Sequence, residues 1–411
     1  MSPDAAAEAP LAGVQVVDLT TTFMGPYCTL LLAQMGADVV KVEAPAGDVL
    51  RYVGDERGTG MGPVFLNANR GKRSIALDLK RPEGRRALMR LVGRADVFVH
   101  NMRPEAVARL GLHAEDVHAA NPRTVYCVVR GFSSTGPYRD KAAYDDVIQA
   151  SSGLAAVQGG PDGPTYIRTP VADKATGLMA VGAIAAALYR RERSGRGLAV
   201  EVPMLETMVA FTLLDQQGGY VFDPPRGPAG YSRLNSPYRR PYRTADGHVG
   251  VMVYTDPQWR AFFELVGRPG LAADPRFRTI TARTLHVDEL YRLLEEELRR
   301  RPTAEWLAAF DERGIAAMPV LTVPELFSDE HLRATGTFEA AVHPTEGPLR
   351  FARFPVDFSG AAPVDLRPAP RLGEHGPEIL AELGYVPEEI RALGLADGHA
   401  PDVTLRPRED A

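Results

Sequence analysis

The chain has 411 residues, a formal net charge of -5 and 45% hydrophobic residues. This length supports a large buried core and more than one domain, and the net negative charge disfavours nucleic acid as a partner. Only Cys28 and Cys127 are present, far apart in the chain, which excludes a disulfide framework and a structural zinc site of the usual kind. We therefore expect a cytoplasmic protein that binds no metal.

Neither the N-terminal segment nor the longest apolar stretch predicts a membrane protein. Residues 1–10 lack a basic stretch followed by an apolar one, so we interpret them as a frayed tail rather than a signal peptide. The longest apolar stretch, Ala175 to Tyr189, falls short of the roughly 20 residues that a bilayer requires. It predicts a buried helix of a soluble protein.

The N-terminal segment predicts a strand, a helix and a second strand. Val14 to Leu19 is a short apolar run, Gly25-Pro26 opens a helical segment that ends at Met35, and Ala37 to Val42 is another apolar run. Such a unit has a parallel crossover.

Strands and helices continue to alternate as far as Val202. Apolar runs at Ala95 to Val99 and Val125 to Val129 follow helical patterns at Pro82 to Val92 and Pro104 to Leu110. A long Ala-rich helix from Asp173 to about Arg191 and a strand from Leu198 to Val202 complete the series. The alternation predicts an α/β fold with a doubly wound, Rossmann-like parallel sheet.

A composition change marks the predicted domain boundary. Residues 223–241 are crowded with Pro, Gly, Arg and Tyr, which interrupts any regular element. We predict a large domain at 11–222, a linker at 223–245 and a smaller α+β domain at 246–320. A return segment at 321–400 is expected to pack on the large domain.

The first strand, helix and strand also suggest a dinucleotide site, because Glu43 ends the second strand where an acidic residue commonly binds a ribose. The phosphate-binding loop is missing, however. Between Thr20 and Pro26 stands one glycine, Gly25, where the dinucleotide fingerprint has three. The pattern therefore disfavours NAD.

Basic residues cluster instead at Arg70, Lys72 and Arg73, directly before a predicted strand from Ile75 to Leu79. A ligand with a 3'-phosphate and a diphosphate, such as coenzyme A, needs a concentrated cationic patch of this kind. The alternative is an ordinary solvated basic loop.

Asp173 stands at the start of the long Ala-rich helix and has two compatible interpretations. As an N-cap it would accept a hydrogen bond from the first turn, worth about 1 kcal/mol. As a reactive carboxylate it would use the exposed amides and the positive end of the helix dipole. No Gly-x-Ser-x-Gly, Walker or His-Glu-x-x-His motif occurs, and His100, His113 and His118 are predicted to be surface or capping residues.

Several specific motifs occur in one order along nearly the whole chain. They are Leu11-Ala12-Gly13, Gly25-Pro26, Met35 to Glu43 (MGADVVKVE), Gly71 to Ser74 (GKRS), Asn121-Pro122-Arg123, Gly131-Phe132, Ala172-Asp173 with Thr176-Gly177, Arg193 to Gly197 (RSGRG) and, more weakly, Gly314 to Ala316 and Gly336. In these motifs the chain resembles the class III coenzyme A transferases, the CaiB/BaiF family, which includes formyl-CoA transferases and α-methylacyl-CoA racemases.

The resemblance implies a Rossmann-like large domain, a small domain and an interlocked homodimer with each active site at the dimer interface. It implies that Asp173 is the nucleophile. It also implies coenzyme A contacts at Leu77, Lys80, Asn101, Met102, Arg103, Arg109, Lys141, Tyr144 and Asp145. The acyl-CoA thioester is then a substrate, and no tightly bound cofactor is expected.

The reaction implied by the resemblance is transfer of coenzyme A from an acyl-CoA to a free carboxylic acid, with an aspartyl-CoA thioester on Asp173 as intermediate. Splitting the exchange into covalent steps conserves the free energy of the thioester. The alternatives are a racemase of 2-methylacyl-CoA and a non-catalytic CoA-binding protein. Racemases of the family carry a histidine where Tyr144 stands, and a phenol with a pKa near 10 is a poor base.

Two departures from the formyl-CoA transferases bear on the substrate. Those enzymes have a glutamine where Phe23 stands and a run of glycines in the region of Gly227 to Tyr231. An apolar Phe23 beside Met24 predicts a larger or more apolar acyl group, unless both residues are core packing. The sequence does not specify the donor or the acceptor acid.

Overall fold

The computed structural model describes residues 8–394. Residues 1–7 of the predicted tail and 395–400 of the predicted return segment lie outside this range. The strands are β1 Gln15–Leu19, β2 Asp38–Glu43, β3 Lys72–Ala76, β4 Val97–His100, β5 Val125–Arg130, β6 Ala199–Pro203, β7 Tyr242–Arg243, β8 His248–Met252, β9 Ala316–Pro319, β10 Phe338–His343 and β11 Gly347–Ala352.

The α-helices range in length from 4 to 24 residues. They are α1 Met24–Gln34, α2 Pro63–Ala68, α3 Pro82–Val92, α4 Pro104–Leu110, α5 Ala114–Ala120, α6 Asp145–Ser151, α7 Leu154–Gly159, α8 Val171–Ser194, α9 Met204–Gln216, α10 Asp256–Leu265, α11 Ile280–Leu285, α12 Val287–Leu298, α13 Thr303–Asp311, α14 Val323–Leu326, α15 Glu330–Ala334, α16 Gly376–Glu382 and α17 Pro387–Ala392.

The described residues form two compact units. The first contains 8–152, 167–209 and 336–394, and the second contains Gly153–Tyr166 and Ala210–Thr335. The sequence-based boundaries stay a prediction. Within the predicted linker the structure forms strand β7, and within the predicted return segment it forms the hairpin of β10 and β11.

A six-stranded sheet organises the first unit. Its strand order is β3-β2-β1-β4-β5-β6 and every pairing is parallel, which confirms the predicted doubly wound sheet. Apolar side chains such as Val17, Val40, Phe98 and Val128 form a buried core with α3 and α16. The order reverses between β1 and β4, and in such sheets ligands collect at the carboxyl ends of the strands beside this reversal.

The third strand differs from its prediction. We expected it at Ile75 to Leu79, but β3 begins at Lys72 and ends at Ala76. Lys72 and Arg73 therefore lie within the sheet, where β3 pairs with β2, rather than in a loop before it.

The second unit has its own core. Strands β7, β8 and β9 form an antiparallel sheet. The core contains Trp259, Phe262 and Phe263 of α10 together with Trp306 and Phe310 of α13. Aromatic residues of this size bury enough apolar surface to support a small unit.

Helix α8 is longer and less buried than the sequence predicted. It has 24 residues, and its most apolar stretch has a mean hydropathy of 1.5 but is only 39% buried. Leu178, Met179 and Tyr189 are each more than half exposed, so the prediction of a buried helix is wrong for this face. By length and composition the helix could cross a bilayer, although core helices of soluble proteins meet the same criteria.

Candidate active site

A cavity of about 480 Å³ opens at the carboxyl ends of β1, β4 and β5, beside the reversal of strand order. Its lining combines apolar, cationic and carboxylate side chains. The lining residues are Thr21, Thr22, Phe23, Met24, Leu50, Asn101, Met102, Arg103, Pro104, Val129, Arg130, Gly131, Phe132, Arg139, Lys141, Ala142, Ala143, Tyr144, Asp173 and Met204.

Two glycines let pairs of chain segments pack closely beside this cavity. A Cβ at Gly177 would lie 2.9 Å from the Met24 carbonyl oxygen, so only glycine lets α8 pack this closely on the first turn of α1. Asp173 stands one helical turn before Gly177 and is thereby placed beside the cavity. A Cβ at Gly131 would lie 2.1 Å from that of Ala143, which brings the segment before α6 onto the end of β5.

The loop from β1 to α1 is held in a strained conformation. Thr22 has a φ of 64°, and it is the one non-glycine with positive φ among residues 8–394. Its amide donates to Asp48 Oδ1 over 3.2 Å, and Asp48 Oδ2 accepts from the buried Lys41 ammonium over 3.0 Å. Asn101 donates to the Thr21 carbonyl and accepts from its amide. These bonds fix the cavity wall that carries Phe23.

The capping group at the start of α8 is Asp145, not Asp173. Pro170 is the N-cap residue and its side chain makes no capping bond. Asp145 Oδ1 accepts from the amides of Ala172 at 2.7 Å and Asp173 at 3.0 Å, while Oδ2 accepts from Gln149 Nε2 at 2.6 Å. The N-cap interpretation of Asp173 is therefore wrong.

This arrangement also removes Asp145 from the set of direct coenzyme A contacts. Its side chain is buried, its oxygens are occupied by protein donors, and it does not line the cavity. It lies beneath the site and positions the first turn of α8.

The Asp173 carboxyl has a perturbed pKa. Burial, followed by the negative charge of Asp145, raises the pKa of Asp173 from its ordinary value of 3.8 to about 7. The carboxyl is thus partly protonated at neutral pH, and its carboxylate form is poorly solvated. Buried carboxyls with strongly shifted pKa values that line a cavity are candidates for catalytic groups.

The predicted basic cluster does not reach the cavity. Lys72 is fully buried, pairs with Asp18 at 3.2 Å and donates to the Pro26 carbonyl and Asn69, and burial lowers its pKa to about 8. These contacts leave no donor for a ligand, so the assignment of Lys72 to a phosphate is corrected to a structural role.

Arg70 and Arg73 are likewise paired within the protein. Arg73 forms ion pairs with Asp38, Glu378 and Glu382, and Arg70 pairs with Glu339. Their positive charges are neutralised outside the cavity, in the manner of surface and half-buried ion pairs. The structure thus places the whole Arg70 to Arg73 cluster in the framework of the first unit.

This placement makes a prediction about Arg73→Gln. We expect the melting temperature to fall by a few degrees, for about 1 kcal/mol of lost ion pairing, and KM for acyl-CoA to stay within about twofold. The cavity variant Arg103→Gln should instead raise that KM about tenfold. Steady-state kinetics and thermal unfolding of both variants test the contrast, and a KM increase in Arg73→Gln alone would restore the phosphate assignment.

Three further predicted contacts lie apart from the cavity lining. Leu77 is buried in the core of the sheet, whereas Lys80 and Arg109 are exposed. The predicted residues that the structure does bring together around the cavity are Phe23, Met24, Asn101, Met102, Arg103, Lys141, Tyr144 and Asp173. Each of these predicted roles stays a proposal.

Sequence reasoning missed Arg130, Phe132, Arg139 and Met204, which also line the cavity. Arg130 had a usable signal, because it follows the predicted strand Val125 to Val129 and precedes Gly131, at the end of the sheet where ligands bind. Arg139 and Met204 lie outside any pattern that the strand and helix periodicities reveal.

His100 is buried, so its prediction as a surface or capping residue is wrong. The Met102 amide donates to Nδ1 at 3.2 Å, and Nε2 lies 2.6 Å from Tyr126 Oη. Burial, followed by the charge of Arg130, lowers the pKa of His100 to about 3. The neutral ring holds the segment after β4 in place and has no free nitrogen for proton transfer.

A cavity of similar volume, about 490 Å³, lies in the second unit. Its lining includes Arg233, Arg239, Arg240, Tyr242 and Tyr291, and no carboxylate, thiol or imidazole among the described residues contributes to it. It offers no nucleophile or base for neutral pH, so the Asp173 cavity is the better candidate active site.

Fold and cavity together place the half-buried carboxyl of Asp173 at the reversal of strand order in an α/β protein. The chain matches the model of CoA-transferase family III over residues 11–376. The chain therefore belongs to CoA-transferase family III, which confirms the predicted family, and it is a CoA-transferase.

Relatives and a solved structure agree with this assignment. A succinate–glutarate CoA-transferase of Agrobacterium fabrum is 36% identical over 91% of this chain and 96% of its own. A formyl-CoA:oxalate CoA-transferase of Streptomyces avermitilis is 36% identical over 93% and 98%, respectively. The crystal structure of a CAIB/BAIF family protein from Brucella suis has a TM-score of 0.77 at 34% identity and covers 92% of this chain and 100% of its own.

Proposed function

We propose that the enzyme moves coenzyme A from an acyl-CoA donor to a free carboxylic acid by a ping-pong mechanism through an aspartyl-CoA thioester on Asp173. The observation that carries the proposal is the position of Asp173, a carboxyl in the first turn of α8 that lines the cavity at the sheet reversal. Burial makes its carboxylate more nucleophilic than a solvated one, because less water must be removed for attack.

In the first half-reaction, a carboxylate oxygen of Asp173 attacks the thioester carbonyl of the donor. The C–S bond breaks, coenzyme A leaves as the thiolate, and an acyl-aspartyl anhydride remains. The thiolate then attacks Cγ of Asp173 and the donor acid leaves as its carboxylate, which produces the aspartyl-CoA thioester. Water must be excluded from the cavity while these intermediates exist.

In the second half-reaction, the carboxylate of the acceptor acid attacks Cγ of Asp173 and displaces the thiolate. The thiolate attacks the acceptor's own carbonyl carbon in the new anhydride, which breaks the bond to Asp173. The products are the acceptor's CoA thioester and the original carboxylate. No proton, electron or further reactant is consumed, so the exchange balances.

The exposed cations of the cavity suit the phosphates of coenzyme A. Arg103, Arg139 and Lys141 are exposed and line the cavity. Exposed, mobile cations bind phosphates at a modest desolvation cost. We propose that the thioester binds as a substrate across these residues.

The racemase alternative lacks a second base. Among the described residues that line the cavity, Asp173 is the only carboxylate and no histidine is present. Tyr144 stands where the racemases of the resemblance carry histidine and is 69% exposed. Racemisation by two bases needs one base on each face of the α-carbon, so transfer of coenzyme A fits this cavity better.

Chemical trapping tests the covalent step. The enzyme is mixed with an acyl-CoA without acceptor, quenched with hydroxylamine and digested, and the peptide that contains Asp173 is weighed. We expect the mass of an aspartyl hydroxamate on Asp173, formed only with the thioester present. Active enzyme whose Asp173 peptide keeps its original mass would contradict the mechanism, and α-proton exchange in deuterated water without acceptor would favour the racemase.

We also propose a homodimer, the interlocked assembly implied by the family resemblance. Its support in the first unit is the exposed apolar face of α8 with Leu178, Met179 and Tyr189. Unpartnered apolar faces of this kind mark interaction surfaces. Light scattering during gel filtration should give twice the chain mass of 44.6 kDa, and a monomer at micromolar concentration would contradict the proposal.

A cytoplasmic location is the remaining proposal. Cys28 and Cys127 are both free and buried, and burial raises the pKa of both thiols. Such thiols need no oxidising compartment. Cell fractionation tests the location directly.

A further inference from the structure

Arg130 is the unusual cation of the cavity. It ends β5, lines the cavity and has a side chain that is only 21% exposed. Its Nε is buried, and no acceptor within residues 8–394 forms a hydrogen bond with any nitrogen of its guanidinium. Buried donors in folded proteins are almost always hydrogen-bonded, so a guanidinium without a hydrogen bond in a cavity wall indicates a ligand.

The nearest protein anion does not satisfy Arg130. Glu201 Oε2 lies 3.9 Å from Nη1, beyond hydrogen-bond distance, and Glu201 Oε1 already accepts from the Ser134 amide at 2.7 Å. Glu201 therefore offsets part of the positive charge of Arg130. It accepts no hydrogen bond from the guanidinium, whose donors stay available to a ligand.

Burial separates Arg130 from the other cations of the cavity. Arg139 and Lys141 are exposed and each already contacts a neighbour, Asp140 and the Tyr138 ring respectively. Solvated cations of that kind suit phosphates, whereas a half-buried planar fork suits one carboxylate held by two parallel hydrogen bonds.

We infer that Arg130 binds the remote carboxylate of a dicarboxylic acyl group, and so makes the enzyme selective for dicarboxylic acids over monocarboxylic acids of the same length. The inference rests on the proposed function, because it places one carboxyl of the acid at Asp173. The other carboxyl does not react and keeps its full negative charge. A charge carried into a partly apolar cavity, here with Phe132 and Met204 in its wall, needs an opposite charge with free donors.

The same guanidinium could instead bind an anionic oxygen of coenzyme A, and the experiment separates the two sources. Initial rates are measured for wild type, Arg130→Gln and Arg130→Lys with succinyl-CoA and glutaryl-CoA, and with butanoyl-CoA and pentanoyl-CoA as length-matched monocarboxylic donors. For Arg130→Gln we expect kcat/KM to fall about 10- to 100-fold with the dicarboxylic donors and to stay within about threefold with the others. Lysine should recover only part of the loss, because it lacks the planar fork.

Arg123→Gln is the matched control. Arg123 lies just before the other end of β5, is exposed and pairs with Glu192, so all four donors should keep their rates. Formation of the Asp173 adduct from butanoyl-CoA shows that each variant is folded.

Each remaining outcome overturns the inference. An equal loss of kcat/KM with all four donors would indicate that Arg130 binds coenzyme A. Unchanged rates in Arg130→Gln would indicate that Arg130 binds no anion of the substrate. A wild type that prefers the monocarboxylic donors would refute dicarboxylate selection while leaving coenzyme A transfer intact. Wild type that exchanges coenzyme A with none of the donors would refute the proposed function itself.

Discussion

Asparagine at position 173 is expected to lower thioester exchange roughly 10³- to 10⁶-fold, because the covalent route loses its nucleophile. The amide cannot displace a thiolate, and no other carboxylate among the described residues lines the cavity. Exchange of radiolabelled succinate into succinyl-CoA measures the loss. Asp173→Ala serves as a second variant, because asparagine can revert to aspartate by deamidation. Exchange at the wild-type rate in both variants would contradict the mechanism.

The same residue predicts a pH dependence of activity. Attack requires the carboxylate, and the pKa of Asp173 is about 7. The rate of the first half-reaction should therefore rise about tenfold per pH unit below pH 7 and level off above it. Rapid-quench measurement of adduct formation between pH 5 and 9 checks this profile, and a rate that is constant across that range would contradict it.

Asp173→Asn should also stabilise the protein at alkaline pH. The pKa of Asp173 is about 7 in the folded protein and 3.8 for an ordinary aspartate, so the folded state binds the proton more tightly. Stability from this group is therefore present below pH 3.8 and lost as the pH rises through 7. We expect the variant to melt roughly 3–6 °C above wild type at pH 8 and at the same temperature near pH 4. The opposite sign at pH 8 would support a capping role for Asp173.

Much of the first unit could be predicted because local pattern and tertiary environment agree there. The helices Pro82–Val92 and Pro104–Leu110 begin and end as predicted, since each starts with proline at N1 and has an amphipathic pattern. The strand β3 was misplaced by three residues because Lys72 and Arg73 look like loop residues in sequence. Their partners, the buried Asp18 and the half-exposed Asp38, come from other strands and cannot be recognised from local composition.

The candidate site was only partly predictable for the same reason. Asp173 lies in a recognised motif, the family resemblance implies Asn101 and Arg103 as contacts, and the structure brings all three to one cavity. Arg70 and Lys72 form an equally clear basic pattern in the sequence, but they make ion pairs with residues distant in sequence. Whether a cation is free for a ligand depends on those distant partners, and a single sequence does not reveal them.

Substitution of Asp145 is expected to have the second large effect, on stability and on the pH dependence of activity, because its side chain has two roles. Its Oδ1 satisfies two amides at the start of α8, of which that of Ala172 is completely buried. Its charge is also, after burial, the second cause of the raised pKa of Asp173. Asp145→Ala leaves both amides unpaired, and we expect a loss of about 1–3 kcal/mol in the free energy of unfolding, measured by urea denaturation.

Asp145→Asn separates the charge from the cap. The asparagine oxygen can still accept from the α8 amides, although its amide group no longer accepts from Gln149 Nε2, which wild-type Oδ2 does at 2.6 Å. Without the negative charge of Asp145, the pKa of Asp173 must fall. The acid limb of the pH–rate profile for the first half-reaction should therefore move to lower pH. Asp146→Asn is the matched control, since Asp146 lies in the same first turn of α6 but is exposed. If both variants kept the wild-type acid limb, burial alone would set the pKa of Asp173, and Asp145 would act only by positioning α8.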